Sequence, residues 1–195
     1  IFDNNSLTTT LAGSAIVLKA TQDVVLGNGP AQNSKYVITA NGTGAITLWS
    51  NADASGTGAI HIGNYTGLTS SGGAITLAGG ATATESSPTG YAINNGATYP
   101  NGVIIGASDL GGNVTVNSGG GNVFIKGSSN NNAAGSDGVK ITRGTDIDSG
   151  AGTMTITGTT DGNTNSSAGV EISPGTSAYA NTLQSSNNST SAISI

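Results

Sequence analysis

A short phrase that returns along the chain constrains the fold more than any other feature of the sequence. Each copy begins with glycine and continues with alternating apolar and polar residues before a polar break. The copies are Gly44-Ala45-Ile46-Thr47-Leu48, Gly58-Ala59-Ile60-His61-Ile62, Gly73-Ala74-Ile75-Thr76-Leu77, Gly112-Asn113-Val114-Thr115-Val116, Gly121-Asn122-Val123-Phe124-Ile125 and Gly152-Thr153-Met154-Thr155-Ile156. Repetition of this kind predicts stacked, nearly equivalent strands in place of a closed globule.

The composition separates the chain from both disordered segments and ordinary globular domains. Only 8% of the 195 residues are charged and 32 are glycine, whereas an average globular domain carries about 25% charged residues. Disordered segments can share this low charge, but they do not place isoleucine, valine and leucine at every second position. We therefore expect an ordered, all-β chain.

Charge and cysteine content limit the classes of partner and the cellular compartment that we expect for this protein. The net charge is −5 with five Lys and Arg together, which argues against binding to nucleic acid or to an anionic membrane surface. No apolar run approaches the ~20 residues needed to span a bilayer. Cysteine is absent, and the Asn, Thr, Ser and Gly content is typical of bacterial surface or secreted proteins. Because the chain starts at Ile1 without a leader pattern, we expect it to be a mature or excised part of a longer protein.

The strand pattern is compatible with two all-β architectures, and no segment has helical periodicity. We predict strands centred on Ile16–Leu18, Val24–Leu26, Val37–Thr39, Ile46–Trp49, Ile60–Ile62, Ile75–Leu77, Val103–Ile105, Val114–Val116, Val123–Ile125, Val139–Ile141, Met154–Ile156, Val170–Ile172 and Ile193–Ile195. An antiparallel sandwich would use Asn41-Gly42, Asn101-Gly102 and Asp161-Gly162 as hairpin turns. A parallel β-helix is favoured, since the strands are short and one Trp and two Phe are few for a sandwich core.

Three stretches depart from the repeat. Residues 81–101 contain two of the four prolines and predict a loop excursion with Tyr91-Ala92-Ile93 as a short returning strand. Residues 128–137 (SSNNNAAGSD) and 185–191 predict polar loops. None of them marks a domain boundary, so we predict that residues 1–195 form a single β-helix segment of a longer or polymerising solenoid.

Several of these phrases resemble the filamentous-haemagglutinin-like exoproteins, which are large adhesins exported by two-partner secretion. The resemblance covers most of residues 10–175. It is strongest in Ile16-Val17-Leu18-Lys19-Ala20, Ala45-Ile46-Thr47-Leu48-Trp49-Ser50-Asn51-Ala52-Asp53, Ser71-Gly72-Gly73-Ala74-Ile75-Thr76-Leu77-Ala78-Gly79-Gly80 and Gly119-Gly120-Gly121-Asn122-Val123-Phe124-Ile125-Lys126-Gly127. The Asn-Pro-Asn pair of the family's secretion domain is not reproduced, and Tyr99-Pro100-Asn101-Gly102 is a partial echo of one copy. The resemblance implies passenger rungs beyond that domain, built as a right-handed β-helix in an extracellular attachment fibre.

Acidic residues are the candidates for metal binding or acid–base chemistry. Asp146 and Asp148 alternate along one predicted strand and are the candidate Ca²⁺ ligands, although the repeat of calcium β-rolls is missing. Clustering of Asp137, Asp146, Asp148 and Asp161 in one groove, beside a basic residue such as Lys140 or Arg143, would indicate a β-helical carbohydrate-active enzyme. Dispersal of those acids would argue against it. We predict no catalytic residues, no cofactor and no established metal site.

The remaining side chains of interest are aromatic, hydroxyl-bearing or single. His61 alternates with Ile60 and Ile62, so it is predicted to point outward at the surface. Tyr91 and Tyr99 lie in the excursion and are the candidate contact residues for glycans; alternatively, they cover the ends of the core. Dense threonine suggests an ice-matching ladder, but the residues do not recur at a constant period. Scattered Asn-x-Ser/Thr sequons leave glycosylation open.

Three functions remain open from the sequence. The first is a non-enzymatic extracellular adhesin or surface-fibre segment, which attaches to host or neighbouring cells. The second is a structural filament subunit that associates end to end with its own copies, because β-helix rungs present unpaired edges and the chain finishes on apolar Ile193 and Ile195. The third is the carbohydrate-active enzyme. No nucleic-acid partner and no membrane insertion are predicted.

Overall fold

The fold is seen in a computed structural model that describes residues 2–3, 6–27, 36–96, 98–106, 113–130, 135–142, 144–161, 166–173 and 179–195. These residues form β-strands, turns and bends. Within them there is no helix, and therefore none long and apolar enough to cross a membrane. The all-β class predicted from the alternating apolar residues is thus confirmed.

The strands form three sheets, called A, B and C below. Sheet A contains β1 (Phe2–Asp3), β4 (Val24–Leu26), β7 (Ile60–Ile62), β11 (Val103–Ile105), β14 (Val139–Ile141) and β17 (Val170–Ile172). Sheet B contains β2 (Leu7–Thr8), β5 (Tyr36–Ala40), β8 (Thr66–Ser70), β12 (Val114–Asn117), β15 (Thr145–Asp148) and β18 (Thr182–Gln184). Sheet C contains β3 (Ile16–Lys19), β6 (Ile46–Ser50), β9 (Ile75–Gly79), β10 (Ala92–Ile93), β13 (Val123–Ser129), β16 (Met154–Thr160) and β19 (Ile193–Ser194).

Consecutive strands belong to different sheets in a fixed rotation from A to B to C, which only β10 interrupts among the described strands. Each strand pairs in parallel with its counterpart from the next passage of the chain, as β6 pairs with β9. This arrangement is consistent with the predicted parallel β-helix. It excludes the antiparallel sandwich, because hairpins would pair consecutive strands with each other.

Equivalent residues lie directly over one another in each ladder. In sheet C, Ile16 pairs with Ile46, Ile46 with Ile75, Ile75 with Val123, and Val123 with Met154. The steps are 30, 29, 48 and 31 residues, and the long step contains the extended connection between β9 and β11 at residues 80–102. Four copies of the repeated phrase, those that begin at Gly44, Gly73, Gly121 and Gly152, build sheet C, whereas the copy with Ile60 builds β7 of sheet A and the copy with Val114 builds β12 of sheet B.

The core lies between the three sheets and consists of stacked aliphatic side chains. Alternate residues of each strand point inward, and Ile46, Ile60, Leu68 and Val123 are all fully buried. As far as the structure describes the core, its hydrophobic cluster contains no aromatic ring. Burial of one such side chain contributes about 1.5–3 kcal/mol. Stability is thus distributed over many similar contacts between neighbouring turns.

Glycine opens the repeated phrase because two turns of backbone meet at that corner. A Cβ atom on Gly73 would collide with the carbonyl oxygen of Gly44, and one on Gly121 would collide with that of Gly73. Gly152 stands in the same relation to Gly121. None of these four glycines has a positive φ. Close approach between turns, and not left-handed backbone, is what requires glycine here.

Buried serines close the same corner between sheets B and C. The Ser70 hydroxyl donates to the carbonyl of Gly44 at 2.7 Å and accepts the Gly73 N–H at 2.8 Å. Ser118 and Ser149 also donate to glycine carbonyls, but to those of Gly121 and Gly152 three residues later in the same turn. These bonds satisfy backbone groups that the turn withdraws from the strand ladders.

The predicted strands are all present, and the predicted loops need correction. Within the excursion at 81–101, the returning strand predicted at Tyr91-Ala92-Ile93 is confirmed as β10 (Ala92–Ile93), which pairs with β13, and both Ala92 and Asn94 are buried in the wall. The exposed part is therefore shorter, close to 81–90. In the loop predicted at 128–137, Ser128 and Ser129 belong to β13 and Asp137 is buried, while residues 131–134 lie outside the described residues.

Insertions are unequally distributed among the corners. The turns from sheet B to sheet C at 41–45, 71–74, 118–122 and 149–153 contain four or five residues. The connections from sheet C into sheet A are longer except at residues 20–23; 51–59 and 130–138 are examples, and the longest holds β10. Long loops therefore lie beside sheet A, whereas mostly short turns lie at the edge between sheets B and C.

Candidate functional site

The two candidate calcium ligands lie together on the outer face of sheet B. Asp146 is exposed, and Asp148 accepts hydrogen bonds from Gly150 N at 2.7 Å and Gln184 Nε2 at 2.8 Å. Desolvation and the charge of Asp148 raise the pKa of the Asp146 carboxyl. Among the described residues no three His, Asp or Glu side chains are close enough together to hold a metal ion. Asp146 and Asp148 remain a pair, and calcium binding there remains a prediction.

The four acids whose clustering would indicate an enzyme occupy different parts of the fold. Asp146 and Asp148 belong to sheet B, whereas Asp137 lies at the corner that leads into sheet A. Asp161 follows β16, where its backbone N–H donates to the carbonyl of Ser129. Arg143 lies outside the described residues. The structure therefore does not assemble the predicted groove of four carboxylates.

A different group of charged side chains comes together at sheet A. The ammonium of Lys140 lies 3.1 Å from Asp137 Oδ2 and 2.9 Å from Glu171 Oε2. Lys140 and Glu171 face outward at paired positions of β14 and β17. We call Asp137, Lys140 and Glu171 the sheet A triad. Sequence reasoning included Asp137 and Lys140 but missed Glu171, because only the strand register brings it within reach.

The protonation of the sheet A triad follows from burial and mutual contact. Desolvation raises the pKa of the Asp137 carboxyl, whose side chain is fully buried. Desolvation is the largest single effect on Lys140 and Glu171 and disfavours their charged forms. The hydrogen bonds and charge interactions within the triad, with the Ser173 hydroxyl on Glu171, together outweigh it, so the pKa of Lys140 is raised and that of Glu171 is lowered. A carboxylate without exposed surface cannot reach a polysaccharide substrate, so the arrangement fits a structural ion pair better than an acid–base pair.

Asp137 also links three turns of the chain through its backbone and side chain. Its N–H donates to Asn101 Oδ1 at 2.8 Å, one turn earlier. Its Oδ1 accepts the N–H of Ala168 at 2.8 Å, one turn later. Asp23 accepts the N–H of Ala59 in the same manner at 2.8 Å. Side-chain oxygens at this corner thus extend the parallel ladders where the backbone bends.

His61 points away from the core, as predicted, but it is not an open surface residue. The ring of Tyr99 packs against it edge to face, with centroids 5.4 Å apart and planes at 68°. Asn95, from the same excursion, donates to Asp23 Oδ2 at 2.9 Å. Burial lowers the pKa of His61 to about 4, so the ring is neutral at physiological pH. The prediction that His61 lies open at the surface was wrong. The residues of β7 alone give no sign that Tyr99, from the excursion, packs over the His61 ring.

The two candidate contact tyrosines are held by different sheets. Tyr99 covers His61 on the outer face of sheet A. Tyr91 is half-buried, and the Lys126 ammonium lies 4.6 Å from its ring centroid and donates to the carbonyl of Thr89 at 2.8 Å. Both rings therefore pack on outer faces of the sheets and not over the ends of the core.

Sheet C presents an outer face that combines lysine, aromatic and hydroxyl side chains. We call this the lysine face: the outward side chains of β3, β6, β9, β13 and β16, among them Lys19, Thr76, Phe124, Lys126 and Thr155. Phe124 is 40% exposed and stacks in register between Thr76 and Thr155. It interrupts the threonine ladder that ice matching would need. The Lys19 ammonium lies 3.8 Å from the ring centroid of Trp49, its partner on the next strand.

Comparisons with known proteins assign no family and no function to this chain. No protein-family model matches the chain, and no curated protein or solved structure matches it either. The resemblance to filamentous-haemagglutinin-like exoproteins therefore stays a prediction made from the residues. A fold of stacked parallel strands is compatible with many activities, so function has to be argued from the faces and loops described above.

Proposed function

We propose that this chain is a segment of a non-enzymatic extracellular adhesin or surface fibre, built as a right-handed parallel β-helix. The observation that carries the proposal is the like-over-like register of Ile46, Ile75, Val123 and Met154, which is the stacking expected of a rigid rod. The right hand follows from the strong preference of parallel crossovers for that hand. The resemblance to two-partner secreted exoproteins supports the same role on a bacterial cell surface.

The placement of the loops supports a division between stalk and contact region. The excursion at 81–90 leaves the wall at Gly79 and returns at Gly90, which are paired by an antiparallel bridge. Glu85 accepts hydrogen bonds from Ala81 N and the Thr89 hydroxyl and so closes this loop on itself. A loop that is shaped locally and projects from a regular rod is a suitable contact element for a cell surface or its glycans.

A carbohydrate-active enzyme is the less favoured alternative. Its acids would need to face substrate, whereas Asp137 is fully buried and Glu171 is bound to Lys140. Asp146 and Asp148 lie on another sheet, on a face without a neighbouring basic side chain in its described strands. These positions favour binding over catalysis.

The adhesin proposal is tested by attachment. Beads coated with the chain are expected to adhere to epithelial or bacterial cells more than beads coated with an unrelated β-helix. A variant in which residues 82–88 are replaced by Asn-Gly should lose most of this adherence while its circular dichroism stays unchanged. The matched control substitutes Thr115→Gln and Thr182→Gln on sheet B and should adhere normally. Equal adherence of the coated and control beads would refute the proposal.

A structural filament is a second candidate, favoured by one observation at the last described turn. Ile172, Ile193 and Ile195 are 43%, 39% and 63% exposed beside the outer edges of β17 and β19. Strand addition from a second copy would cover these side chains and continue the ladders. Electron microscopy of the purified chain should then show fibres whose length grows with concentration, and Ile193→Lys should abolish them. Monodisperse particles at all concentrations would rule this candidate out.

A further inference from the structure

We propose that the lysine face of sheet C binds a carboxylated polysaccharide, laid across the strands as an extended chain. The inference rests on the proposed attachment function and names the chemical class of one ligand. The charge of the face, the way its lysines are held, the exposure of Phe124 and the short turns beside the sheet support it.

Charge is the first argument. Lys19 and Lys126 belong to one outward column of sheet C, in which Trp49 and Ala78 lie between them and are buried, at 2% and 4% exposure. No outward side chain of β3, β6, β9, β13 or β16 is a carboxylate. The net charge of −5 therefore resides elsewhere, and this face is locally positive on an acidic protein. The local positive potential attracts an anionic partner to the lysine face, whereas the acidic remainder of the protein repels it.

The positions of the two ammonium groups are fixed, which is the second argument. Lys126 is held by the ring of Tyr91 and by its bond to the Thr89 carbonyl, and Lys19 is held by the ring of Trp49. An ammonium has three N–H donors, so each lysine retains donors for a carboxylate. Because the side chains are already ordered, binding loses less conformational entropy than it would with free lysines.

An exposed aromatic ring, that of Phe124, lies beside the charged Lys126 side chain. Phe124 is 40% exposed and lies two residues before Lys126, on the same face of β13. An aromatic ring of this kind can pack against the C–H face of a sugar ring. Thr76 and Thr155 flank Phe124 in the ladder and present hydroxyls to the sugar's own hydroxyl groups. Aromatic, hydroxyl and ammonium groups side by side match a uronate unit.

The shape of the face is the last argument. Adjacent rungs of a sheet are about 4.8 Å apart, which is close to the length of one pyranose unit. The short turns at 71–74, 118–122 and 149–153 leave the side toward sheet B open, and the loop at 81–90 borders the other side. Glu85 is the acid of that loop, and it bonds to Thr89 and not to Lys126. The open part of the face is the column of Val17, Thr47, Thr76, Phe124 and Thr155, which lies beside the lysine column. An elongated strip of this kind suits a long polymer better than a small molecule.

Binding is measured by isothermal titration calorimetry with polygalacturonate oligomers and, as the matched neutral probe, the same oligomers fully methyl-esterified. We expect binding to the acid form that weakens as salt is raised, and at least tenfold weaker binding to the ester. Lys126→Gln should weaken binding about tenfold, and Phe124→Ala about fivefold. Thr115→Gln on sheet B should leave the affinity unchanged, and thermal melts should show that all three variants fold.

Absence of binding to polygalacturonate would overturn the inference, and so would any of three other results. One is equal affinity for the acid and the ester, and another is unchanged affinity in both Lys126→Gln and Phe124→Ala. The third is equal binding of a single-stranded DNA of matched charge, since that would indicate a general polyanion site. Bead adherence is measured separately, so a chain that adheres but does not bind polygalacturonate would refute this ligand and leave the adhesin proposal standing.

Discussion

Lys140 and Glu171 occupy paired positions on neighbouring strands of sheet A, and the Lys140 ammonium lies 2.9 Å from Glu171 Oε2. The two residues are 31 positions apart in sequence, which is one turn of the chain. The Asp137 carboxylate also contacts the Lys140 ammonium, and Asp137 is hydrogen-bonded to the turns before and after it. In a protein with few charges, this triad joins turns that are otherwise held by backbone ladders and aliphatic packing.

Removal of the cation from the triad should be costly. Lys140→Gln leaves the buried Asp137 carboxyl without its ammonium partner, and we expect the free energy of unfolding to fall by about 2 kcal/mol, reduced from the value for a fully buried pair by the partial exposure of Lys140 and Glu171. Chemical denaturation at pH 7 measures the change. Lys126→Gln is the matched control and should cost less than about 1 kcal/mol, because its contacts with Tyr91 and Thr89 are exposed. Equal losses in the two variants would contradict the structural role of the triad.

His61 should make the protein less stable in mild acid. The ring's pKa is lowered by burial from 6.5 to about 4, so between these values the unfolded chain binds a proton that the folded chain does not. Stability is therefore complete above pH 6.5 and falls as the pH approaches 4, by about 3 kcal/mol at most. Denaturation curves of the native chain and of His61→Gln should diverge across this window. Parallel pH profiles would show that Tyr99 does not exclude water from the ring.

The glycine that opens the repeated phrase should not tolerate a methyl group. In Gly73→Ala the new Cβ would collide with the carbonyl oxygen of Gly44, and we expect a loss of about 3 kcal/mol because backbone has to move. Gly67→Ala is the control, since its Cβ would meet the Val37 side chain at 3.6 Å and the Tyr36 carbonyl oxygen at 3.9 Å, both ordinary contacts. Thermal unfolding of the two variants compares them. A Gly73→Ala protein as stable as Gly67→Ala would mean that the turns do not approach as closely as the structure has them.

The buried serines should differ according to their hydrogen bonds. Ser70→Ala removes a donor to the Gly44 carbonyl and an acceptor for the Gly73 N–H, and we expect a loss of about 1–3 kcal/mol. The Ser129 hydroxyl is equally buried but has no partner among the residues that the structure describes. Ser129→Ala should therefore be neutral or slightly stabilising. Urea unfolding of the pair gives the comparison, and the reverse order of stabilities would be inconsistent with the corner described here.

The strands of sheets A and C were predictable, whereas those of sheet B were largely missed. Strands such as β7 and β9 place two large aliphatic residues at alternate positions, and this pattern can be recognised in the sequence. In β8 and β15 the inward positions hold Thr66, Leu68 and Ser70 or Thr145 and Ile147, so each strand has one large aliphatic residue. Only the neighbouring turns, which bury these small polar side chains, identify them as strands.

The sequence by itself determined the class of fold and its repeat. Alternation of Ile46 and Leu48, or of Ile75 and Leu77, gives each strand one apolar face, and repetition of that face about every 30 residues allows turns to stack. Glycine at the head of the four phrases that build sheet C marks the corner where turns touch. These are local properties of the chain, so they can be read without knowing the register.

Tertiary structure alone decided which side chains meet. The contact of Lys140 with Glu171 depends on register, because a shift by one residue would turn one of them into the core. The burial of His61 depends on Tyr99, which lies 38 residues further on in an insertion that the repeat does not predict. Contacts between turns are set by insertion lengths and stacking, and neither is encoded in the local pattern that specifies the strands.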